Sequence, residues 1–271
     1  MHDLEGKYKR FLSLHEQDRP LLLANAWDGG SARLFASLGF QALASTSGGH
    51  AASLGRLDYG VRREEALAHG STLAGAVEIP VSADLEDCFP EQPGGVEETI
   101  RMALEAGLAG CSIEDWSSHQ DSLYELDLAA ERVAAAAQAA HSGSTRLVLT
   151  ARAENYLRGN PNLGDTIARL KAYQEAGADV LYAPGLDRVE ELRELIGAVD
   201  RPVNVLVKPT TPSVEQLAEI GVKRISVGSA FAFLAYGAAA DAAREWLGQG
   251  THAFTDSAAA GAKLAREAFS G

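Results

Sequence analysis

The sequence predicts a (β/α)8 TIM barrel, in which eight parallel strands alternate with helices and close on themselves. Three observations support this fold class: eight short apolar runs are spaced along the chain, helical segments lie between them, and several of those segments end in glycine. Apolar runs without strict alternation are typical of parallel strands covered on both faces. The chain has 271 residues, close to the usual barrel size of about 250 residues.

The predicted strands are the apolar runs of the chain. In order, they cover 21–27, 41–47, 79–85, 109–115, 146–154, 178–184, 201–207 and 223–228. The segments between them, such as VEETIRMALEAG and VEELRELIGAV, have the apolar spacing of amphipathic helices. Glycines just after these segments, such as Gly107 and Gly177, are typical of helix C-termini. A doubly wound open sheet is the competing fold, but no GxGxxG follows the first run.

The chain is predicted to form a single barrel domain over residues 1–271, because no linker rich in Pro, Gly or Ser divides it. The strands occupy about 21–228, and a helical extension follows over about 230–271. This extension holds AFLAYGAAADAAREWL and SAAAGAKLAREAF, one helix more than a bare barrel requires. The additional helix is expected to pack under the barrel or on a neighbouring subunit.

Composition and charge argue against several classes of function. The chain carries 24 Lys and Arg against 37 Asp and Glu, a formal net charge of −13, so a nucleic-acid or anionic-membrane surface is not expected. No apolar run is long enough to span a membrane, and the charged N-terminal segment lacks a signal-peptide core. The two cysteines, Cys88 and Cys111, form no disulfide framework. These features predict a soluble, cytoplasmic protein.

Acidic residues cluster after the third and fourth predicted strands. Asp84, Glu86 and Asp87 lie within SADLED, and Glu114 lies in SIED. In such barrels the active site lies at the carboxyl ends of the strands, where these side chains meet. Asp84 and Glu86 lie on the same side of an extended chain, and Mg²⁺ or Mn²⁺ prefers oxygen ligands. A metal site formed by Asp84, Glu86 and Glu114 is therefore expected, with solvated loop acids as the alternative.

Polar groups at other strand ends are candidates for binding an acidic substrate. Arg152 ends a very apolar strand, where a substrate carboxylate offers a bidentate partner. An ion pair with Glu154 or Asp179 is the alternative for this arginine. The segment STSGG offers hydroxyls and a backbone that a ligand can approach closely, although it also fits an ordinary turn. Its candidate substrate-binding residues are Ser45, Thr46, Ser47 and Gly48.

Three further candidates lie outside these motifs. Trp27 follows the first strand and is a candidate for contact with substrate. Lys208 follows the seventh strand, where it could bind substrate, form a Schiff base or take part in an ordinary salt bridge. His119 lies in the loop after the fourth strand, near the predicted mouth, where it could transfer a proton or simply be exposed.

Taken together, these motifs resemble the isocitrate lyase/phosphoenolpyruvate mutase superfamily. The resemblance runs from about Asn25 to Ala240 and rests on NAWDGGSARLFASLGFQALASTSGG, SADLED, SIED, TARAENYL, GADVLYAPG and KRISVGSA. It implies a barrel whose last helix is exchanged between the subunits of a homodimer or homotetramer. It also implies Mg²⁺ beneath an α-keto or enolpyruvate-like acid, next to which a C–C or P–C bond is made or broken.

The resemblance also implies roles for individual residues. The metal-site acids of the family match Asp84, Glu86 and Glu114. An aspartate near the metal's waters matches Asp58, and the arginine on the substrate carboxylate matches Arg152. The segment that holds the keto acid matches Ser45, Thr46 and Ser47.

The loop after the fourth strand departs from the family pattern. Where family lyases carry a Lys-Lys/Arg-Cys-Gly-His motif, this chain reads EDWSSHQDSLYELDL, with neither Lys nor Cys. The expected function is a Mg²⁺-dependent carbon–carbon lyase that acts on a small 2-oxo or 2-hydroxy carboxylic acid through an enolpyruvate-like intermediate. Decarboxylation of an oxaloacetate-like acid fits, because CO2 leaves without a general acid. A non-catalytic barrel that binds a keto acid and metal, and a Schiff-base aldolase that uses Lys208, are the alternatives.

Overall fold

The computed structural model describes residues 3–270 and shows a closed barrel of parallel strands surrounded by helices. The strands follow one another around the barrel in chain order, and the last pairs with the first. They are β1 (Leu21–Ala26), β2 (Leu43–Ser45), β3 (Val81–Asp84), β4 (Gly110–Glu114), β7 (Val148–Arg152), β8 (Val180–Tyr182), β9 (Val203–Leu206) and β10 (Arg224–Ser226). Between β4 and β7, strands β5 (Trp116–Ser117) and β6 (Ser122–Leu123) form a separate hairpin. The predicted (β/α)8 fold class is confirmed.

Helices surround the strands. They are α1 (Leu4–Ser13), α2 (Gly29–Ser37), α3 (Ser47–Ser53), α4 (Arg63–Ala76), α5 (Gly95–Glu105), α6 (Leu126–His141), α7 (Leu163–Glu175), α8 (Val189–Ala198), α9 (Val214–Glu219), α10 (Ala230–Gln249) and α11 (Thr255–Phe269). Helix α2 begins after Asp28, whose carboxylate accepts a hydrogen bond from the Ser31 amide at 2.6 Å. Gly107 and Gly177 follow α5 and α7 with φ of 83° and 106°, a backbone conformation that favours glycine. The sequence analysis did not predict α1.

Side chains on the barrel strands alternate between the surrounding helices and the barrel interior. Those that face the helices form the main core, which includes Leu43, Ile113, Leu149 and Leu181. At the amino-terminal end of the barrel, a second core cluster contains Leu21, Val148 and Val180 together with Phe11 of α1. A Cβ on Gly110 would lie 2.7 Å from Phe11 Cε1, so glycine is needed for this ring to fit. Helix α1 therefore closes one end of the barrel, and polar groups gather at the other.

The C-terminal extension contains the additional helix that the sequence predicts. Helix α10 has 20 residues, of which Ala232 alone is buried. Its large apolar side chains are exposed, including Leu234 at 69%, Trp246 at 66% and Leu247 at 87%. Helix α11 returns to pack on α2 of the same chain. Within residues 3–270 no helix is long and apolar enough to cross a membrane.

We predict that a second copy of the chain covers the apolar face of α10. Exposed apolar patches mark interaction surfaces, and symmetric homo-oligomers are the commonest assemblies of soluble proteins. Replacing Trp246 and Leu247 together by Glu is expected to lower the mass measured by sedimentation velocity. Leu38→Glu, an exposed apolar residue of α2's C-terminal end, is the matched control and should leave the mass unchanged. An oligomer that survives the double substitution would contradict this assembly.

His15 lies between α1 and the barrel interior and is 2% exposed. Its Nδ1 donates to the Phe11 carbonyl oxygen at 2.8 Å, and its Nε2 has no hydrogen-bond partner among the described residues. Burial, together with the positive charge of Arg224, lowers the pKa of His15 from 6.5 to about 3. The imidazole is therefore neutral in the folded protein at neutral pH.

We predict that His15 makes the protein sensitive to acid. Between pH 6.5 and about 3 the unfolded chain binds a proton that folded His15 does not. The free energy of unfolding therefore falls as the pH drops through this window, by up to about 1.4 kcal/mol per pH unit. Urea unfolding across the window should show a shallower loss in His15→Asn than in the unmutated protein. The control is His252→Asn, at an exposed position; equal slopes in all three proteins would contradict the prediction.

Candidate active site

A cavity of about 260 Å³ opens at the carboxyl ends of the barrel strands. This is the position at which active sites of this fold class are found. Its upper part is lined by residues from the ends of β2, β3 and β7 and from the loop before α4. They include Ser45, Thr46, Ser47, Asp58, Tyr59, Asp84, Arg152 and Arg158. Several sequence-predicted site residues therefore meet in one cavity.

Asp84 ends β3 and is held by hydrogen bonds from three directions. Its carboxylate accepts from the Ser47 hydroxyl at 3.0 Å, from the Ser112 hydroxyl at 3.3 Å and from Arg152 Nη1 at 3.0 Å. Its backbone N–H donates to Ser45 Oγ at 2.7 Å, which ties β3 to β2. These donors fix both carboxylate oxygens, so Asp84 projects into the cavity in one orientation.

Arg152 ends β7 and bridges three carboxylates. Its guanidinium lies 3.0 Å from Asp84, 3.1 Å from Glu114 and 2.8 Å from Glu154. The ion pair with Glu154, one alternative from the sequence, is present, whereas Asp179 pairs with His141 at 2.9 Å. Three negative groups therefore surround one positive group. Arg152 lines the cavity, but its charge is already matched within the protein.

Glu114 and Glu154 lie on the far side of Arg152 from the cavity mouth. Burial raises the pKa of each, and the positive charge of Arg152 opposes that shift. Glu114 accepts a hydrogen bond from the Tyr59 hydroxyl at 2.5 Å, and Arg158 in turn contacts that hydroxyl and Glu154. Glu114 does not line the cavity. The structure thus places it beside Arg152 and Tyr59 rather than beside Asp84.

Glu86 takes a different position from the one its spacing predicts. Strand β3 ends at Asp84, and Glu86 has a φ of 52°, so strand alternation no longer sets its direction. Its side chain is 6% exposed and lines small pockets beside the main cavity with Ser47 and Asp84. Burial, together with the charges of Asp84 and Asp58, raises the pKa of Glu86 to about 8. These carboxylates are therefore close enough to repel one another.

Asp58 lines the cavity, and Gly48 lies next to it. Burial raises the pKa of Asp58, as does the charge of Asp84, and the Ser47 hydroxyl lowers it. A Cβ on Gly48 would lie 2.9 Å from Ser229 Oγ and 3.3 Å from Asp58 Oδ2, so the close packing here requires glycine. The STSGG segment is thus more than an ordinary turn, since its serines bind Asp84.

The carboxylates Asp58, Asp84 and Glu86 fit a hydrated divalent cation. Within residues 3–270, no three His, Cys, Asp or Glu side chains have the spacing of a direct ligand set. Mg²⁺ commonly takes one or two carboxylates directly and keeps several waters, so Asp84 with two neighbouring acids suits it. The excess of negative charge at this point also calls for a cation. This set shares Asp84 and Glu86 with the predicted one and adds Asp58, while Glu114 contacts Arg152 and Tyr59.

Six predicted site residues do not line the main cavity: Gly48, Glu86 and Glu114, described above, and Trp27, Lys208 and His119. Trp27 packs its ring on Phe35, with centroids 6.0 Å apart. Lys208 lies 3.1 Å from Asp187 and donates to a backbone carbonyl, as expected for an ordinary salt bridge. His119 lines a neighbouring cavity of about 250 Å³ beside Glu86.

The sequence analysis missed other residues that line the cavity. Tyr59 and Arg158 come from loops whose spacing gives no sign of where they fold. Arg224 and Asn204 lie on strands but away from their carboxyl ends, where candidates were sought. Their side chains line the inner part of the cavity. Arg224 begins β10 directly after Lys223, so its place in the sequence gives no sign that its side chain is buried.

Comparison with known proteins is consistent with this geometry. A family model described as phosphoenolpyruvate phosphomutase matches residues 11–247. The chain belongs to the isocitrate lyase/phosphoenolpyruvate mutase superfamily. The relatives of this superfamily member are lyases and mutases, which makes it an enzyme of that class.

Three proteins similar to this chain show how far the similarity extends. A solved structure from Burkholderia cenocepacia J2315 is 46% identical, with a TM-score of 0.92, and covers 97% of this chain and 96% of its own. Oxaloacetate decarboxylase 1 of Pseudomonas putida is 28% identical over 242 residues, 83% of this chain and 80% of that protein. A 2-methylisocitrate lyase of Halalkalibacterium halodurans is 30% identical over 201 residues, 72% of this chain and 65% of that protein.

We predict that Arg152 is needed for the stability of this superfamily member as well as for its site. Arg152→Met should lower the free energy of unfolding by about 3–5 kcal/mol, because Glu114 and Glu154 would stay buried without their cation. Urea unfolding measures the change. Arg101→Met is the control, because Arg101 pairs with Glu98 and Glu105 on the surface. The control should change the free energy far less, because exposed ion pairs contribute little to stability, and equal effects would contradict the prediction.

Proposed function

We propose that the protein is a Mg²⁺-dependent carbon–carbon lyase for a small 2-oxo or 2-hydroxy carboxylic acid, with an enolpyruvate-like intermediate. The observation that carries this proposal is the fixed carboxylate of Asp84 at the cavity mouth, with Asp58 and Glu86 close by. This group has the donor chemistry of a Mg²⁺ site and lies where substrate would enter. The similarity to an oxaloacetate decarboxylase and a 2-methylisocitrate lyase supports the same class of reaction.

Asp84 would hold the metal directly, with Asp58 and Glu86 accepting hydrogen bonds from the metal's waters. The bound ion supplies positive charge next to the oxygen on which an enolate develops. Within the protein, Ser47 and Ser112 orient the Asp84 carboxylate through their hydroxyls. The same oxygen ligands would also accept Mn²⁺.

Arg152 acts on the reaction through position and charge. Its Nη1 fixes one oxygen of Asp84, so the metal-binding carboxylate and the arginine keep a constant separation. Because Glu114 and Glu154 balance its charge, Arg152 can stay buried at the cavity wall without an external anion. A substrate carboxylate at this wall would meet both a guanidinium and the hydroxyl of Ser47.

Decarboxylation of an oxaloacetate-like acid is the reaction that best matches the proton donors available around the site. The loop after β4 carries no cysteine or lysine, and loss of CO2 requires no proton on the departing group. His119 lines the neighbouring cavity, on the other side of Tyr59, where it can exchange protons with solvent. The enolate would then take its proton from water or from His119.

The proposal predicts that Mg²⁺ and oxalate, a mimic of the enolate, bind with positive coupling. Each completes the coordination of the other, so saturating Mg²⁺ should raise oxalate affinity by about 5- to 150-fold, the usual range for coupled sites. Asp84→Ala should abolish the coupling. Calorimetric titration of oxalate with and without Mg²⁺ is the measurement, with circular dichroism to show that the variant is folded.

Asp241→Ala is the matched control, because Asp241 is an exposed aspartate that pairs with Arg244 far along α10. It should leave the coupling intact. The same preparations are then assayed for pyruvate-type products from 2-oxo and 2-hydroxy di- and tricarboxylic acids. Turnover that needs Mg²⁺ and Asp84 supports a lyase, whereas coupled binding without turnover supports the non-catalytic alternative. Oxalate binding that ignores the metal would overturn the proposal.

A further inference from the structure

Tyr182 stands at the carboxyl end of β8 and lines the main cavity. It lies in register with Arg152 at the end of β7, and the guanidinium carbon of Arg152 is 5.4 Å from the centre of the Tyr182 ring. The same guanidinium donates to Asp84 at 3.0 Å. A small acid bound beside Asp84 is therefore expected to meet the Tyr182 side chain.

Two other hydroxyls of the cavity already donate their protons within the protein. Tyr59 donates to Glu114 at 2.5 Å, and Ser47 donates to Asp84 at 3.0 Å. The Tyr182 hydroxyl, by contrast, donates to no acceptor among residues 3–270, although the side chain is only 8% exposed. Its proton is therefore available to a group that enters the cavity.

The neighbours of the Tyr182 hydroxyl favour this orientation of its proton. Asn204 donates from Nδ2 to Ser226 Oγ at 3.0 Å, and an amide nitrogen can only donate. The Ser226 hydroxyl is left to donate its own proton, and it lies close enough to the phenol oxygen to lower the pKa of Tyr182. Because the phenol oxygen acts as an acceptor towards Ser226, its own proton points elsewhere.

Tyr182 is protonated at neutral pH, yet its conjugate base would lie among positive charges. Burial raises the pKa of Tyr182 to about 12, and the guanidiniums of Arg152 and Arg224 oppose that rise. Strand register places Tyr182 between them, next to Arg152 on β7 and two strands from Arg224 on β10. A proton at neutral pH and a stabilised conjugate base are the properties that a general acid needs.

We propose that Tyr182 is a catalytic residue that protonates the carbon of the enolate in the reaction proposed above. This inference rests on the proposed function, and it makes Tyr182 the proton donor in place of water or His119. The phenol lies in the same cavity as Asp84 and keeps its proton free, whereas His119 lines the neighbouring cavity.

The step balances with solvent as the final source of the proton. When CO2 leaves, the electron pair of the broken C–C bond forms the C=C bond of the enolate, and the carbonyl π pair moves to oxygen. The enolate carbon then bonds to the phenolic proton, and the O–H electron pair stays on Tyr182 as phenolate. Solvent in the cavity returns a proton to the phenolate. One proton is thus taken up for each CO2 released.

Oxalate and pyruvate form a matched pair of ligands that tests this role without turnover. Each has a carboxylate next to a second carbon that carries an oxygen. Where pyruvate has its methyl group, oxalate has another oxygen, which occupies the position of the carbon that is protonated. A Tyr182 proton directed at this position would donate to oxalate and would find no acceptor in pyruvate.

Tyr182→Phe should therefore weaken the binding of oxalate and leave that of pyruvate unchanged. Calorimetric titration with Mg²⁺ present measures oxalate affinity, and competition against oxalate measures that of pyruvate. Loss of a hydrogen bond to a charged oxygen should lower oxalate affinity about tenfold. A purely structural role would change both affinities alike. Equal changes for the two ligands, or no change for either, would overturn the inference.

Tyr156→Phe is the matched control. Burial raises the pKa of Tyr156 to about 12 as well, but its hydroxyl donates to Glu191 at 3.2 Å, and it does not line the main cavity. Both affinities should stay unchanged in this variant. Oxalate affinity that falls in His119→Asn but not in Tyr182→Phe would overturn the assignment. Failure of oxalate to bind the unmutated protein with Mg²⁺ would instead count against the proposed function.

A spectroscopic measurement on the unmutated protein covers the case in which Tyr182→Phe does not fold. With tyrosines labelled with ¹³C at Cζ, oxalate should shift one resonance that pyruvate leaves in place. Tyr59 and Tyr182 are the tyrosines that line the cavity, so persistence of this resonance in Tyr59→Phe assigns it to Tyr182. If oxalate and pyruvate have the same effect on every tyrosine resonance, the inference is wrong.

Discussion

The ion-pair cluster around Arg152 is the interaction on which the rest of the site depends. One guanidinium joins the ends of β3, β4 and β7 by contacting Asp84, Glu114 and Glu154. Removal of any partner leaves a charge buried, and burial of unpaired charge is among the largest penalties in a protein interior. The cluster therefore fixes the spacing of three strand ends and the orientation of Asp84 at once. Stability and site geometry arise from the same contacts.

The fold was predictable because it depends on a pattern that many residues repeat. Eight apolar runs, each followed by a helix and several by glycine, leave few alternative topologies. The structure places a barrel strand within each run. Helix α1 escaped prediction because its N-terminal sequence is rich in charge, and its burial depends mainly on two aromatic residues, Tyr8 and Phe11. Such a contact exists only once the barrel end that receives Phe11 has formed.

The site was predictable in part. Asp84, Arg152 and the 45–47 segment meet in the cavity, because they stand at strand ends and the barrel brings those ends together. Glu86 follows the end of β3 with a φ of 52°, where strand alternation no longer applies, and Glu114 contacts Arg152, a pairing that sequence position does not reveal. Lys208 and Trp27 lie away from the cavity because loop geometry after a strand is not set by the strand's period. Tyr59 gave no signal at all, as a loop residue with a φ of 62°.

Phe11 packs against Gly110 and closes the amino-terminal end of the barrel, so the cavity opens at the other end. Because α1 closes the amino-terminal end of the barrel, molecules enter and leave at the end where β5 and β6 form their hairpin. When a cavity has one opening, a ligand bound deep inside it must leave after a ligand bound nearer the opening. The packing of Phe11 on Gly110, far from Asp84, thus decides at which end of the barrel ligands are exchanged with solvent.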